Sequence, residues 1–193
     1  MTNGGMVVSS LIDAQGCVVG YVDRFGRERD LAGNLLPGGY RPAPGAFLTN
    51  QRLWQSGAPV SVTGTTSETV LATIPIPAGA MGPNGALRIT AYWSYPNNAN
   101  TKNLKVTLGG VSVVSVGRTT FASDYWLLSL INRGLQNSQV RPVSPFPYGS
   151  GANGMSPMAV DTSVAQNLIF SAQPANAADT ITLEAYTVEL LNP

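Results

Sequence analysis

From Leu87 to Ser94 apolar and polar residues alternate: Leu87, Ile89, Ala91 and Trp93 take every second position, with Arg88, Thr90, Tyr92 and Ser94 between them. A period of two puts all four apolar side chains on one face of an extended strand, and no helix can do so. The pattern recurs further on. Leu104, Val106 and Leu108 alternate with Lys105 and Thr107, and Gly109-Gly110 then turns the chain into Val111 to Val116. Both central positions of a tight hairpin turn favour positive φ, which glycine adopts without strain, so this stretch predicts a hairpin.

Thr69 to Pro77 is rich in β-branched residues, and Pro75 and Pro77 put its far end at a sheet edge or strand exit. Ala78 to Gly85 reads as a loop closed by an Asn-Gly turn signal. Asp124 to Ile131 fits helix or strand by pattern alone; Tyr125, Trp126 and its place among strands favour β. Arg141 to Met158 is a Pro/Gly/Ser loop, and Gln166 to Gln173 and Thr180 to Leu191 are the last two strands. In the final one Ile181, Leu183 and Ala185 share a face, whereas Tyr186, Val188 and Leu190 share the other. An apolar set that changes sides calls for a bulge or a strand covered on both faces. Eight or so strands, no convincing helix and no repeat of solenoid length predict an all-β, antiparallel sandwich, with a jelly roll as the preferred topology.

Residues 1–58 differ from the rest. Val18 to Asp23 suits one short strand followed by a turn at Phe25-Gly26-Arg27, but Leu36 to Gly45 holds three prolines and three glycines, which suit neither a helix interior nor a central strand. The expectation is an extended arm over 1–58, ordered by a partner, ahead of a sandwich over 59–193. Leu31, Leu35, Leu36, Tyr40, Phe47, Leu48, Leu53 and Trp54 are more large apolar groups than a solvated tail needs. The run Asp23 to Asp30 alternates acids with Arg24, Arg27 and Arg29. Its acids cancel its bases as a nucleic-acid patch, but forked arginines are common at protein interfaces.

Composition narrows the function. Charged residues make up 11% and nearly cancel, leaving a net charge of +1. An average soluble domain carries about 25%. Such a chain has no basic footprint for nucleic acid or an anionic membrane. It contains no histidine and a single cysteine, Cys17. That removes His-based triads, the commonest metal ligand, and any intrachain disulfide. Glu68, Asp124, Asp161, Asp179, Glu184 and Glu189 remain for carboxylate chemistry, but Glu184 and Glu189, the two on one predicted strand, are five apart and so on opposite faces, and any pair must come from different strands. Gly79 to Gly85 lacks the Lys-Ser/Thr ending of a phosphate loop. No catalytic residue, metal or cofactor is therefore expected. Tyr92 and Tyr95 are candidates for exposed aromatics, on a protein interface or a glycan platform, and Tyr125-Trp126 is nearby in sequence. Met1 to Gly20 lacks the basic start and apolar run of a secretory signal, and no segment approaches the about 18 apolar residues of a membrane span. Synthesis in a cytoplasm without a cleaved leader is the expectation.

Thr63 to Ile89, read with Tyr92-Trp93-Ser94, Lys105 to Leu108 and the closing Asp179 to Leu190, resembles a domain of virion structural proteins of tailed bacteriophages. The likeness spans roughly residues 60–193 and rests on strand and turn residues. It implies a β-sandwich subunit of a phage particle, as found in head decoration proteins, head fibres and tail fibres. No heptad stalk is present, so a capsid decoration or cement protein suits the chain better than a receptor-binding fibre. The implied partners are a major capsid protein or another virion protein, and further copies of the chain, with a homotrimer in view. Tyr21, Arg24, Phe25, Arg27, Arg29, Tyr40 and Trp54 are the expected partner contacts.

Overall fold

The computed structural model describes residues 51–141 and 155–191 and, before them, the strands at 9–12, 18–22 and 28–30. No helix occurs among the described residues. The chain divides into two units, Met1–Leu48 and Thr49–Pro193.

In the first unit β1 (Ser9–Ile12), β2 (Val18–Val22) and β3 (Glu28–Asp30) form an antiparallel sheet in sequence order. The strand expected at Val18 is β2. The first unit, expected as part of an extended arm, thus holds three paired strands among its described residues. Its local alternation is too short to show β1 and β3, which owe their assignment to pairing across the sheet.

The second unit contains β4 (Gln51–Ser56), β5 (Val60–Val62), β6 (Thr69–Ile76), β7 (Ala86–Ser94), β8 (Lys102–Leu108), β9 (Val111–Arg118), β10 (Ser123–Asn132), β11 (Gln139–Arg141), β12 (Ser156–Met158), β13 (Gln166–Pro174) and β14 (Ile181–Leu191). Four antiparallel pairs nest inside one another: β8 with β9, β7 with β10, β6 with β13 and β5 with β14. Successive pairs fall in alternate sheets. The winding then sets β14 beside β7 and β13 beside β8. The two sheets therefore run β5-β14-β7-β10 and β6-β13-β8-β9. The strand spacing predicts this antiparallel sandwich, and the nested winding has the strand order of the preferred jelly-roll topology.

Burial follows the alternation. Leu87, Ile89, Ala91 and Trp93 of β7 and Leu104, Val106 and Leu108 of β8 are all buried. Phe170 of one sheet lies 6.3 Å from Trp93 and 5.1 Å from Tyr186 of the other, and Trp93 lies 5.4 Å from Trp126 within its own sheet. At the β8–β9 turn Gly109 and Gly110 have φ of 55° and 78°, as a two-residue hairpin of the primed type requires. Asp124 to Ile131, ambiguous in sequence, is strand β10. In β14 the register against β7 shifts between Leu183 and Ala185. Glu184 is the extra residue, and the shift returns Tyr186, Val188 and Leu190 to the buried side on which Ile181 and Leu183 already lie.

Three expectations need correction. Ala78 to Gly85 is the expected loop, carrying the chain from β6 in one sheet to β7 in the other, but no Asn-Gly turn closes it. Its positive-φ residues are Gly79 and Gly82, not Asn84-Gly85. Second, β4 precedes the expected boundary at 58 yet pairs with β14, Trp54 opposite Val188. Prolines and glycines nearby conceal a strand whose partner is over a hundred residues away. Third, the stretch read as a loop from Arg141 holds β12, which pairs with β11. Buried Gln139 secures that edge: its Nε2 donates to Asn132 Oδ1 at 2.8 Å and Val160 O at 3.0 Å, and its Oε1 accepts from Val160 N at 2.8 Å.

Candidate functional site

The acids of the sandwich are engaged within the fold. Asp124, almost buried at the start of β10, accepts from Arg118 Nε at 2.7 Å and from Tyr95 Oη at 2.8 Å. Burial, together with the bond to Asp124, raises the Tyr95 phenol well above its ordinary value and keeps it a donor. Tyr95 is thus buried, not exposed as its polar end suggested. Three positions separate it from Tyr92, so parity sends the two rings to opposite faces. Asp179 accepts from Asn98 Nδ2 at 2.8 Å and Asn100 Nδ2 at 3.0 Å. Glu68 accepts from Ser171 Oγ at 2.7 Å and pairs with Lys105 at 3.2 Å; the Ser171 bond foremost holds its carboxyl below the ordinary value. Asp161 is bound by Ser163, which lowers its carboxyl too. Glu189 pairs with Arg88 at 3.5 Å. Among the described residues no three acids or cysteines gather as metal ligands.

The residues expected to touch a partner fall into three groups. Tyr21 on β2 stands opposite Arg29 on β3. Arg24, Phe25, Arg27 and Tyr40 lie outside the described residues. Trp54 lies on β4 in the other unit, with 47% of its surface exposed.

A different cluster forms on the outer face of the β5-β14-β7-β10 sheet. Tyr92 and Tyr125 are directly opposed across β7 and β10. Both are about half exposed, their ring centroids 5.0 Å apart and the planes tilted by 51°. With Ser94, Ser123, Asp124, Glu184 and Ala185 they line a shallow cleft of about 480 Å³. The bulge sets Glu184 at its rim, where Ser94 Oγ donates to Glu184 Oε1. Each tyrosine shows its parity in sequence, but their meeting depends on the β7–β10 register, which no local pattern carries. On the other sheet, Glu68, Lys105, Ser115, Ser171 and Gln173 line a polar hollow of about 330 Å³, occupied in part by the Glu68–Lys105 ion pair.

No protein-family model matches the sequence, and no curated protein matches it. Among solved structures the chain is similar to the CBM2 module of the evolved Dit of Lactobacillus casei BL23 phage J-1, with 11% identity and a TM-score of 0.36 over 73% of this chain and 96% of that one. It is similar to dimeric latent PorU from Porphyromonas gingivalis, with 11% identity and a TM-score of 0.33 over 82% of this chain and 14% of that one. It is also similar to VP2 of an infectious bursal disease virus subviral particle, with 9% identity and a TM-score of 0.30 over 84% of this chain and 43% of that one. Likenesses of this size carry no argument about activity or partner.

Proposed function

We propose that the chain is a non-enzymatic structural protein of a tailed-bacteriophage virion, and specifically a decoration or cement protein of the capsid exterior. The observation that carries this reading is how the sandwich uses its polar groups. Its acids are bound to donors that hold strands and loops together, while Trp54, Phe121 and Leu135 stand at its surface with 47%, 59% and 61% exposure. A surface of this kind suits adhesion to other chains more than bond-breaking. The resemblance over Thr63 to Ile89 supports it, since that block supplies β6, the crossing loop and the start of β7. Binding across joints between capsid subunits would stabilise the closed shell by mass action, through contacts that separated subunits lack. Tyr21, Arg24, Phe25, Arg27, Arg29 and Tyr40 of the first unit, with Trp54, are the proposed contacts with the major capsid protein, and copies of the chain associate with one another, as a homotrimer.

Removal of residues 1–48 tests the reading. The cut must stop there, because β4 begins at Gln51 and pairs with β14. The full chain is expected to co-sediment with particles lacking it, and the 49–193 fragment to remain folded in solution without attaching. Equal attachment by the fragment contradicts the role given to the first unit.

A further inference from the structure

We infer that the cleft between Tyr92 and Tyr125 binds a neutral saccharide, wherever in a particle the chain resides. Three features of the cleft converge on that ligand class. Two half-exposed rings, 5.0 Å apart and tilted by 51°, offer π faces around a hollow, not one flat wall. A pyranose ring presents C–H groups on its face, slightly positive and suited to the negative face of a tyrosine. Around its rim the same sugar carries hydroxyl donors that need acceptors. Glu184 provides a carboxylate at the edge of the aromatic floor, oriented by the Ser94 hydroxyl. A carboxylate can accept from two neighbouring hydroxyls at once.

Charge excludes the acidic glycans. The cleft lining holds two carboxylates, Glu184 and Asp124, and neither lysine nor arginine. The Asp124 charge is already matched by Arg118 at 2.7 Å, so Glu184 sets the sign of the site. A sialylated or sulfated ligand would meet repulsion with no cation in the lining to offset it.

Extent argues against a broad protein interface. One residue pair along the strands from Tyr92 and Tyr125 the sheet presents Leu127, Thr90 and Thr187, and the next pair meets the Arg88–Glu189 ion pair. The aromatic floor therefore spans two strands and a single residue pair. A stable protein interface covers about 800 Å² on each partner. The bulge adds a reason specific to this chain. It restores the buried register of β14, and it also carries Glu184 to the rim, as bulges beside binding sites re-aim a side chain.

The test applies the full chain to an array of immobilised glycans, comprising neutral hexose and N-acetylhexosamine oligosaccharides and sialylated and sulfated ones, alongside an arginine-rich peptide. Retention on neutral glycans is expected, and it should persist at high salt. Titration calorimetry with the best neutral oligosaccharide should then show about tenfold weaker binding for Tyr92→Ala and for Tyr125→Ala, with Tyr92→Phe close to wild type. Glu184→Gln should also weaken it. Circular dichroism checks that each variant is folded; if an alanine variant is not, shifts of tyrosine ring resonances in the wild-type protein on adding that glycan decide the matter. Absence of neutral-glycan binding, preference for acidic glycans, or full binding by the folded alanine variants overturns the inference. Retention on the peptide alone, lost in the same variants, assigns the cleft to a protein arginine instead.

Discussion

Lys102 and Asp179 are joined through a single amide. Asn98 Oδ1 accepts from Lys102 Nζ at 3.0 Å, while Asn98 Nδ2 donates to Asp179 Oδ1 at 2.8 Å. Lys102 is fully buried, and its other acceptors are Asn98 O at 3.2 Å and Thr119 O at 2.7 Å. These three acceptors use the three donors of an ammonium, and the Tyr95 ring lies 5.7 Å from Nζ. The cluster fixes the loop between β7 and β8 against the end of β9 and the loop before β14.

Lys102→Met keeps the stem but strands the carbonyls and the Asn98 amide. It should lower stability by about 3 kcal/mol in urea unfolding. Asp179→Asn should cost less, and the double variant should fall short of the sum, because both act through Asn98. Strict additivity would show that the two charged groups are independent.

The β8–β9 turn gives a graded prediction. A Cβ on Gly109 would meet Gln166 Oε1 at 2.6 Å and Val160 Cγ1 at 2.8 Å, whereas one on Gly110 meets open space. Both glycines have positive φ, so either alanine carries a backbone cost of about 1 kcal/mol or a little more. Gly109→Ala adds a clash and should lose about twice as much as Gly110→Ala. Thermal unfolding of the two variants checks the order.

The buried Tyr95 phenol predicts an alkaline limb. Its folded value is raised, by burial first, above an ordinary 10.0. Below pH 10 the phenol is protonated in both states and its contribution is fully present. Above pH 10 the unfolded chain loses the proton first, so stability falls as pH rises. The stability gap between wild type and Tyr95→Phe should therefore narrow above pH 10, followed by urea unfolding across that range. A constant gap would contradict the burial of this hydroxyl.

Glu68 predicts the opposite limb. Ser171 and Lys105 hold its carboxyl below 4.5, so its contribution is present above that pH and is lost as pH falls through the folded value. The pair with Lys105 is partly exposed, 34% and 46% for the two side chains. Glu68→Gln should thus cost under about 1 kcal/mol at neutral pH and nothing in strong acid. Stability curves of both proteins from pH 7 to pH 2 check the convergence.

Where pairing is local, the sequence displays the fold: the alternation of β7, the Gly109-Gly110 hairpin and the change of face in β14 all correspond to observed structure. Each is written in neighbouring residues. Lys102 shares its strand face with Leu104, and parity alone places it inside, but a lysine ordinarily marks solvent. Only the distant carbonyl of Thr119 and the side chain of Asn98 make its burial tolerable. β4 exists through a partner over a hundred residues away, and β11 and β12 are three residues each, too short for an alternation to show. The Tyr92–Tyr125 cleft needs register between β7 and β10 and a bulge in β14, three separate pieces of one surface.

The central claim is that this chain is built into a phage particle as part of its shell, and counting its copies per particle tests that most directly. Quantitative mass spectrometry of purified virions from a phage encoding the chain, scaled to the major capsid protein, is predicted to give hundreds of copies. A dozen or two would move it to the tail, and its absence from intact particles would contradict the account.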